Sequence, residues 1–344
     1  MDELSDGRGT YANNKKAMEN LMRTALALAL AISMSAAATT AWAEDAKAPA
    51  AAPAPAAAPA PAMAAAPAPA PAKASVGTAA NCSNPNALGV ERVVQIDTTG
   101  GPGFGFEHFK AYDFLRDKEV VLTFDDGPWQ GNTERVLKAL ADQCTKAVFF
   151  EIGKHAGYYP EIAKQVAKAG HTIGTHTWSH KDLSTMSEAD AKAEIEKGIA
   201  AVSIALGNQP VNPFFRFPAL KHPPELVKYV GSRNIGIFST DMDSFDFKMR
   251  KPDQVIKSVM AKLAKHGKGI VLMHDFQHAT AEALPELLKQ MKAAGYKVVQ
   301  VVGKTNIEPL PEYRDAVLKE MGGGLEEARP MSSVIQTIGG GDKN

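Results

Sequence analysis

A chain of 344 residues is long enough for one large domain or two average ones, and with 45% hydrophobic against 22% charged residues it has a sizeable core to bury. Lysine plus arginine number 38, the acids also number 38, and the balance stays at zero when the first 43 residues are set aside. Such a chain has no overall field to attract nucleic acid or an anionic membrane, which leaves neutral polymers among its compatible partners.

Residues 1–43 have the layout of a signal peptide. Lys15, Lys16 and Arg23 precede an apolar run over 24–34, and Ala41-Trp42-Ala43 sets cleavage before Glu44. The run is short for a bilayer span, so no transmembrane segment is expected after cleavage; an uncleaved anchor or a short buried helix is the alternative. Between 48 and 72 every residue is alanine or proline except Met63. That composition buries little and extends, so 44–75 reads as a solvated tether or spacer with a reach of roughly 75 Å at about 3.1 Å per residue. The export reading puts the protein in the periplasm, the cell envelope or outside the cell. There Cys82 and Cys144 would be able to pair, although two free cysteines fit the sequence as well.

From 76 to 303 the pattern is that of a folded domain. Strands are expected over 92–97, 119–124, 147–152, 171–174, 214–217, 235–239, 269–273 and 297–301. Helices are expected over 133–142, 159–169, from Ser187 to about 206, 224–232, 252–266 and 281–294. Ser187-Glu188-Ala189-Asp190 resembles a capping box, and Pro252 suits a first helical position. Strands and helices that alternate in this way predict an α/β fold with a parallel sheet, and about seven units favour a barrel. The extension 304–344, with glycine triplets at 322–324 and 339–341, reads as loosely packed and partly flexible.

Unusual polar residues fall at the expected strand ends. Asp125-Asp126, His176, Arg216, the acids Asp241, Asp243 and Asp246, and His274 each follow an apolar β-run. In parallel α/β sheets these ends share one rim. His176 and His180, four apart, can face one point, and a carboxylate from Asp125-Asp126 completes a His-His-Asp set with an open position, as in catalytic zinc sites. Adjacent residues at a strand end point in different directions. One acid can therefore ligate a metal while the other accepts a proton from water. The bland alternatives are a turn-capping Asp-Gly and an exposed histidine pair. Trp129 and Trp178 either stack on a ligand or pack the rim, and Phe104, Phe106 and Phe109 either cover the groove or plug the barrel. His108, His155, His171, His222 and His266 have no partners visible in sequence, and His278 has only its spacing from His274.

The segments Thr-Phe-Asp-Asp-Gly-Pro (123–128), His-Thr-Trp-Ser-His (176–180), Arg-Phe-Pro (216–218), Asp-Ser-Phe-Asp-Phe (243–247) and Val-Leu-Met-His-Asp (271–275) resemble, in order, five motifs. They are those of the polysaccharide deacetylases of carbohydrate esterase family 4, which carry a NodB homology domain. The resemblance spans about 117–302. It implies a deformed (β/α) barrel of about seven strands. It implies Asp126, His176 and His180 as metal ligands, Asp125 as base with Arg216 as its partner, and His274 as acid with Asp246 behind it. An oxyanion contact is implied at the backbone N–H just after Pro218. Two positions depart from the motifs: Ala219 stands where an aromatic residue is usual, and Phe247 where tryptophan is usual. Ala219 keeps its N–H but loses a groove wall, and Phe247 keeps an apolar floor for an acetyl methyl. The expected activity is removal of N-acetyl groups from a peptidoglycan or chitin-like glycan, with zinc as the metal by ligand type; cobalt or manganese also suits the donors. The alternatives are an O-acetyl esterase of the xylan type and a glycan-binding relative without turnover.

Overall fold

The structure, a computed structural model, describes residues 82–325. The expectations for 1–43 and 44–75 and for the tail beyond 325 lie outside the described residues.

The barrel wall is read most directly from strand β3, Glu119–Asp125, which is buried along its whole length. Its alternate residues serve two cores. Val121 joins Phe150, Phe214, Phe238 and Ile270 inside the barrel. Val120, Leu122 and Phe124 face the surrounding helices. That period of two is why the sequence reads here as a continuous apolar run.

The other wall strands are β4 (Val148–Glu151), β5 (Thr172–Thr175), β6 (Phe214–Phe215), β7 (Gly236–Phe238), β8 (Met242–Asp243) and β9 (Gly269–His274). Their spatial order is β8-β9-β3-β4-β5-β6-β7, and every pairing is parallel. Three residues, 239–241, lead from β7 into β8 across a seam where the wall strands do not pair with each other. This is a deformed α/β barrel with seven wall strands among the described residues. Short β2 (Gly103–Phe104) pairs with the seam side of β7. Strand β10 (Lys297–Gly303) pairs with the start of β3 and carries β1 (Arg92–Ile96) on its outer edge.

Helices α1 (Asn132–Asp142), α2 (Gly153–Tyr158), α3 (Pro160–Lys168), α4 (Glu188–Ala205), α5 (Pro224–Ser232), α6 (Pro252–His266) and α7 (His278–Ala293) surround this wall. Their starts follow local chemistry. Ser187 accepts the Asp190 N–H at 3.2 Å, capping α4 as its sequence predicts. Prolines open α3, α5 and α6. Cys82 and Cys144 form a disulfide, tying the first described residues to the end of α1.

The segment after β10 differs from expectation. Pro311–Leu325 forms a further helix, α8, instead of a loosely packed tail. Pro311 suits a helix start, and Tyr313, Val317 and Met321 recur every four residues as an apolar stripe that covers α4. The glycines at 322–324 fall in its last turn, where they do not prevent the packing of the turns before them. Helix α2 was also not anticipated, because its Gly-Lys-His-Ala-Gly-Tyr sequence has no apolar period.

His171 at the foot of β5 supplies a test of the core. Its Nδ1 accepts the Ala147 N–H at 3.2 Å, its ring lies 5.2 Å from Phe149, and burial, helped by nearby Lys146, lowers its pKa to about 3. The unfolded chain takes up this proton first, near pH 6.5, so the contribution is present above that pH and is lost as pH falls towards 3. His171→Gln keeps an acceptor without titrating. Denaturant melts at pH 7, 5.5 and 4 are expected to show a shallower fall in stability for the variant, by up to about 1.4 kcal/mol per pH unit.

Candidate active site

The rim is built outward from two neighbouring strands. β3 ends on Asp125 and β9 on His274, and the two residues are register partners. Inward parity along β3 runs through Val121 to Asp125, and along β9 through Ile270 to His274. Both functional side chains therefore face the barrel mouth. The chain then turns at Asp126, which has φ 74, so consecutive acids face different neighbours. Gly127 has to lack a side chain, because the Asp275 carboxyl fills the space that a Cβ would need.

Arg216, at the end of β6, is fully buried. Its Nη1 donates to Asp125 Oδ1 at 2.6 Å and to Thr123 Oγ1 at 2.7 Å. Nε and Nη2 donate to the carbonyls of Phe238 at 3.2 Å and Ser239 at 2.8 Å. The guanidinium also stacks 4.4 Å over the Phe150 ring. One oxygen of Asp125 is thereby committed, while Oδ2 faces His176 Nε2 at 3.8 Å.

Asp126, His176 and His180 converge with donor atoms within 4.8 Å of one another. The Nε2 atoms of His176 and His180 lie 3.5 and 3.3 Å from Asp126 Oδ1. His176 Nδ1 sits 2.6 Å from the Arg216 carbonyl, which only accepts, so Nδ1 carries the hydrogen and Nε2 offers its lone pair. Burial, against the pull of Asp126, lowers the His176 pKa to about 3. Asp126 Oδ1 is buried with no hydrogen-bond partner among the described residues. A buried, unpartnered carboxylate oxygen faced by two imidazole nitrogens fits a divalent cation of borderline softness. His155 Nδ1 donates to the Asp126 carbonyl at 2.7 Å and fixes this turn from outside.

On the neighbouring strand, His274 Nδ1 donates to Asp246 Oδ1 at 2.6 Å. The other oxygen of Asp246 accepts from the His274 N–H at 2.8 Å and from Thr280 Oγ1 at 2.6 Å. Burial opposes a charge on His274, but the bond and charge of Asp246, with Asp126 and Asp125 beyond, outweigh it and raise the pKa to about 9. Asp246, buried yet bonded to His274, is held below the usual carboxylate range. Two further acids lie behind the rim. Burial pushes Asp275 up to about 7 and Glu151 up to about 8.

These groups open into a cavity of about 450 Å³, lined also by Phe217, Ala219, Leu220, Asp243, Phe247 and Leu272. Pro218, next to the lining residues Phe217 and Ala219, is buried, and Ala219 adopts φ 53. The Phe247 ring stands edge-on to His274 at 5.5 Å. Glu107, which no sequence pattern singles out, and His108, which has no partner visible in sequence, line the same cavity. His108 Nδ1 lies 2.7 Å from Ser239 Oγ, and its ring is 4.5 Å from that of His222. The signal available in sequence was only their nearness to the short strand β2, with no repeat or spacing to flag them.

Other candidates fall elsewhere. Trp178 is 5% exposed and packed beneath α8, so it is a rim-packing residue. Trp129 stacks edge-on to His155 and Tyr159. His278 pairs with Glu282 at 3.0 Å on an exposed helix face. Asp241 accepts backbone N–H groups of Phe106 and Ile270. Phe104 fills the barrel, Phe109 packs on the helix-side core, and Phe106 lines a separate cavity.

The sequence profile of the polysaccharide deacetylase family matches residues 114–235. The peptidoglycan-N-acetylglucosamine deacetylase PgdA of Listeria monocytogenes is 34% identical over 188 residues, which are 54% of this chain and 38% of that protein. Chitin deacetylase 1 of Saccharomyces cerevisiae is 30% identical over 203 residues, 55% of this chain and 62% of that one. The chain thus spans less than two thirds of the length of either relative. Among solved structures, the peptidoglycan deacetylase Bd3279 of Bdellovibrio bacteriovorus superposes with a TM-score of 0.56 at 33% identity, covering 62% of this chain and 59% of that one. A parallel barrel with Asp126, His176 and His180 gathered at its mouth, together with these likenesses, places the chain in the polysaccharide deacetylase family.

Proposed function

We propose that this protein is a metal-dependent hydrolase that removes N-acetyl groups from an N-acetylated glycan of the peptidoglycan or chitin type. The observation that carries the reading is the pairing of Asp125 and His274 on adjacent strands beside the Asp126-His176-His180 donor set, with Asp125 Oδ2 3.8 Å from His176 Nε2 and His274 Nε2 4.0 Å from Asp126 Oδ2. Those three side chains would hold one divalent ion, zinc by donor type. When bound, such an ion supplies electrophilic polarisation of the acetyl carbonyl and acidifies water.

The rest is the work of the chain's own groups. Arg216 holds Asp125 in place by occupying Oδ1, which leaves Oδ2 to take a proton from the attacking water. As the water oxygen bonds to the acetyl carbon, the oxyanion is received in part by the Ala219 N–H, presented by the turn that follows Pro218. His274, protonated and oriented by Asp246, gives its Nε2 proton to the glycan nitrogen. The C–N bond breaks, and acetate and a free amine leave. Phe247 and Leu272 offer an apolar floor to the acetyl methyl, and Glu107 and His108 stand in the wall of the same cavity.

Residues 1–43 would direct export and 44–75 would tether the domain. The Cys82–Cys144 disulfide suits an oxidising compartment. No helix among the described residues is long and apolar enough to cross a membrane.

Two measurements test the reading. With N-acetylglucosamine oligomers as substrate, Asp125→Asn and His274→Ala are each expected to slow acetate release roughly 10²–10⁴-fold; near-native turnover in either would remove that residue from the assignment. Chelation should abolish acetate release, and added zinc, cobalt or manganese should restore it. Release that ignores the chelator would rule out a metal role, and release from acetylated xylan alone would point to ester cleavage.

A further inference from the structure

We infer that helix α8 clamps the loop that carries both histidine ligands, with Trp178, Val317 and Glu320 as positioning residues for the metal. The inference rests on the reading of Asp126, His176 and His180 as the ligand set.

The loop 176–180 does not hold its shape alone. Thr177 and His180 have φ 68 and 57, a left-handed conformation that is unfavourable for residues with a side chain. Such backbone persists where the surroundings over-determine it. The two imidazoles also differ in support. His176 is fixed through Nδ1 to the Arg216 carbonyl. Among the described residues no hydrogen bond holds the ring of His180, which is 40% exposed. Ligand histidines are ordinarily oriented through their second ring nitrogen. Here the position of His180 depends on the backbone that leads to it.

That backbone is gripped from three sides. On α4, a Cβ at Gly198 would come within 2.6 Å of the Thr177 carbonyl carbon, so helix and loop touch main chain to main chain. The same helix takes the Trp178 N–H on the Glu194 carbonyl at 2.8 Å, and the Ser179 N–H and hydroxyl on the Glu194 carboxylate at 2.9 and 2.8 Å. At the start of α2, Gly153 and Lys154 donate to the carbonyls of Thr177 and Trp178, both at 2.9 Å. The third side is α8. The Trp178 ring, midway between the two ligands, is enclosed with Ala200, Ala201 and fully buried Val317, and Tyr313 and Met321 flank it. Its indole N–H donates to Glu320 Oε1 at 3.2 Å, and Glu320 Oε2 takes Lys197 at 2.9 Å. Helices α2 and α4 fall within the family-matched residues and α8 does not. Helix α8 also lies beyond 302, where the five-motif resemblance ends, so the cover over Trp178 is contributed by the extension 304–344. Holding the indole fixes residues 177–179, and with them the His180 nitrogen opposite Asp126.

The test is the zinc affinity of the full chain, measured by competition with a chromogenic chelator, beside the melting temperature of the zinc-free protein. Glu320→Ala and Val317→Ala are expected to weaken zinc binding about 10-fold, the lower end of what supporting residues contribute. Glu320→Gln, which still offers an oxygen to the indole, should recover the wild-type value. Glu320 is a surface residue, so Glu320→Ala should leave the zinc-free melting temperature within a few degrees. Unchanged affinity in both Glu320→Ala and Val317→Ala, with binding lost in His176→Ala, overturns the clamp and spares the ligand set. Zinc binding in His176→Ala equal to wild type overturns the ligand set and the clamp with it.

Discussion

The buried guanidinium of Arg216 is the interaction on which the site depends. A charge with no solvent is costly unless every hydrogen finds a partner. Here the partners come from four places: the Asp125 carboxylate, the Thr123 hydroxyl, and the carbonyls of Phe238 and Ser239. They belong to β3 and to the end of β7, so satisfying one side chain fixes two stretches of wall relative to β6. The carbonyl of the same residue orients His176. Asp125 and His176, the proposed base and metal ligand, are thus referenced to a single residue, and neither can shift without disturbing the other. The Phe150 face beneath the guanidinium completes the enclosure with an apolar surface that still favours a cation.

Across the rim a second buried ion pair has the opposite task. Asp246 and His274 make a unit in which one partner keeps the other charged. Arg216 holds a carboxylate as an acceptor, and Asp246 holds an imidazole as a donor. Two carboxylate-containing pairs at one cavity, one presenting an acceptor and the other a donor, suit the proposed hydrolysis, which takes a proton in one place and returns it in another.

The wall and its rim are legible in the sequence because they obey a period. Apolar runs such as Val120-Val121-Leu122 end in acids, and parity along the strand then fixes which acid faces inward. The groove wall is less legible. Glu107 and His108 reach the cavity from a loop beside a two-residue strand, and no spacing ties them to Asp125 or His274. His222 is similar: its partner ring is contributed by His108, more than a hundred residues away. Helix α8 is hidden in the sequence for a different reason. Glycines at 322–324 signal a break, yet the stripe of Tyr313, Val317 and Met321 ahead of them buries enough apolar surface to hold the helix. Trp178 reads equally as a binding aromatic or a packing one until the element that covers it is known.

The register of β3 against β9 has a consequence for how such a protein changes over time. Asp125 and His274 are opposite one another because backbone hydrogen bonds align the strands, so their separation follows the interstrand spacing of about 4.8 Å. No loop sets it. The cavity wall, by contrast, is assembled from loop residues such as Glu107, His108, Ala219 and Leu220. Insertions or exchanges there can reshape what the mouth admits while Asp125 and His274 stay at the same distance. In the proposed reading, what the mouth admits and what happens at its base are set by separate parts of the chain, so a change in one need not disturb the other.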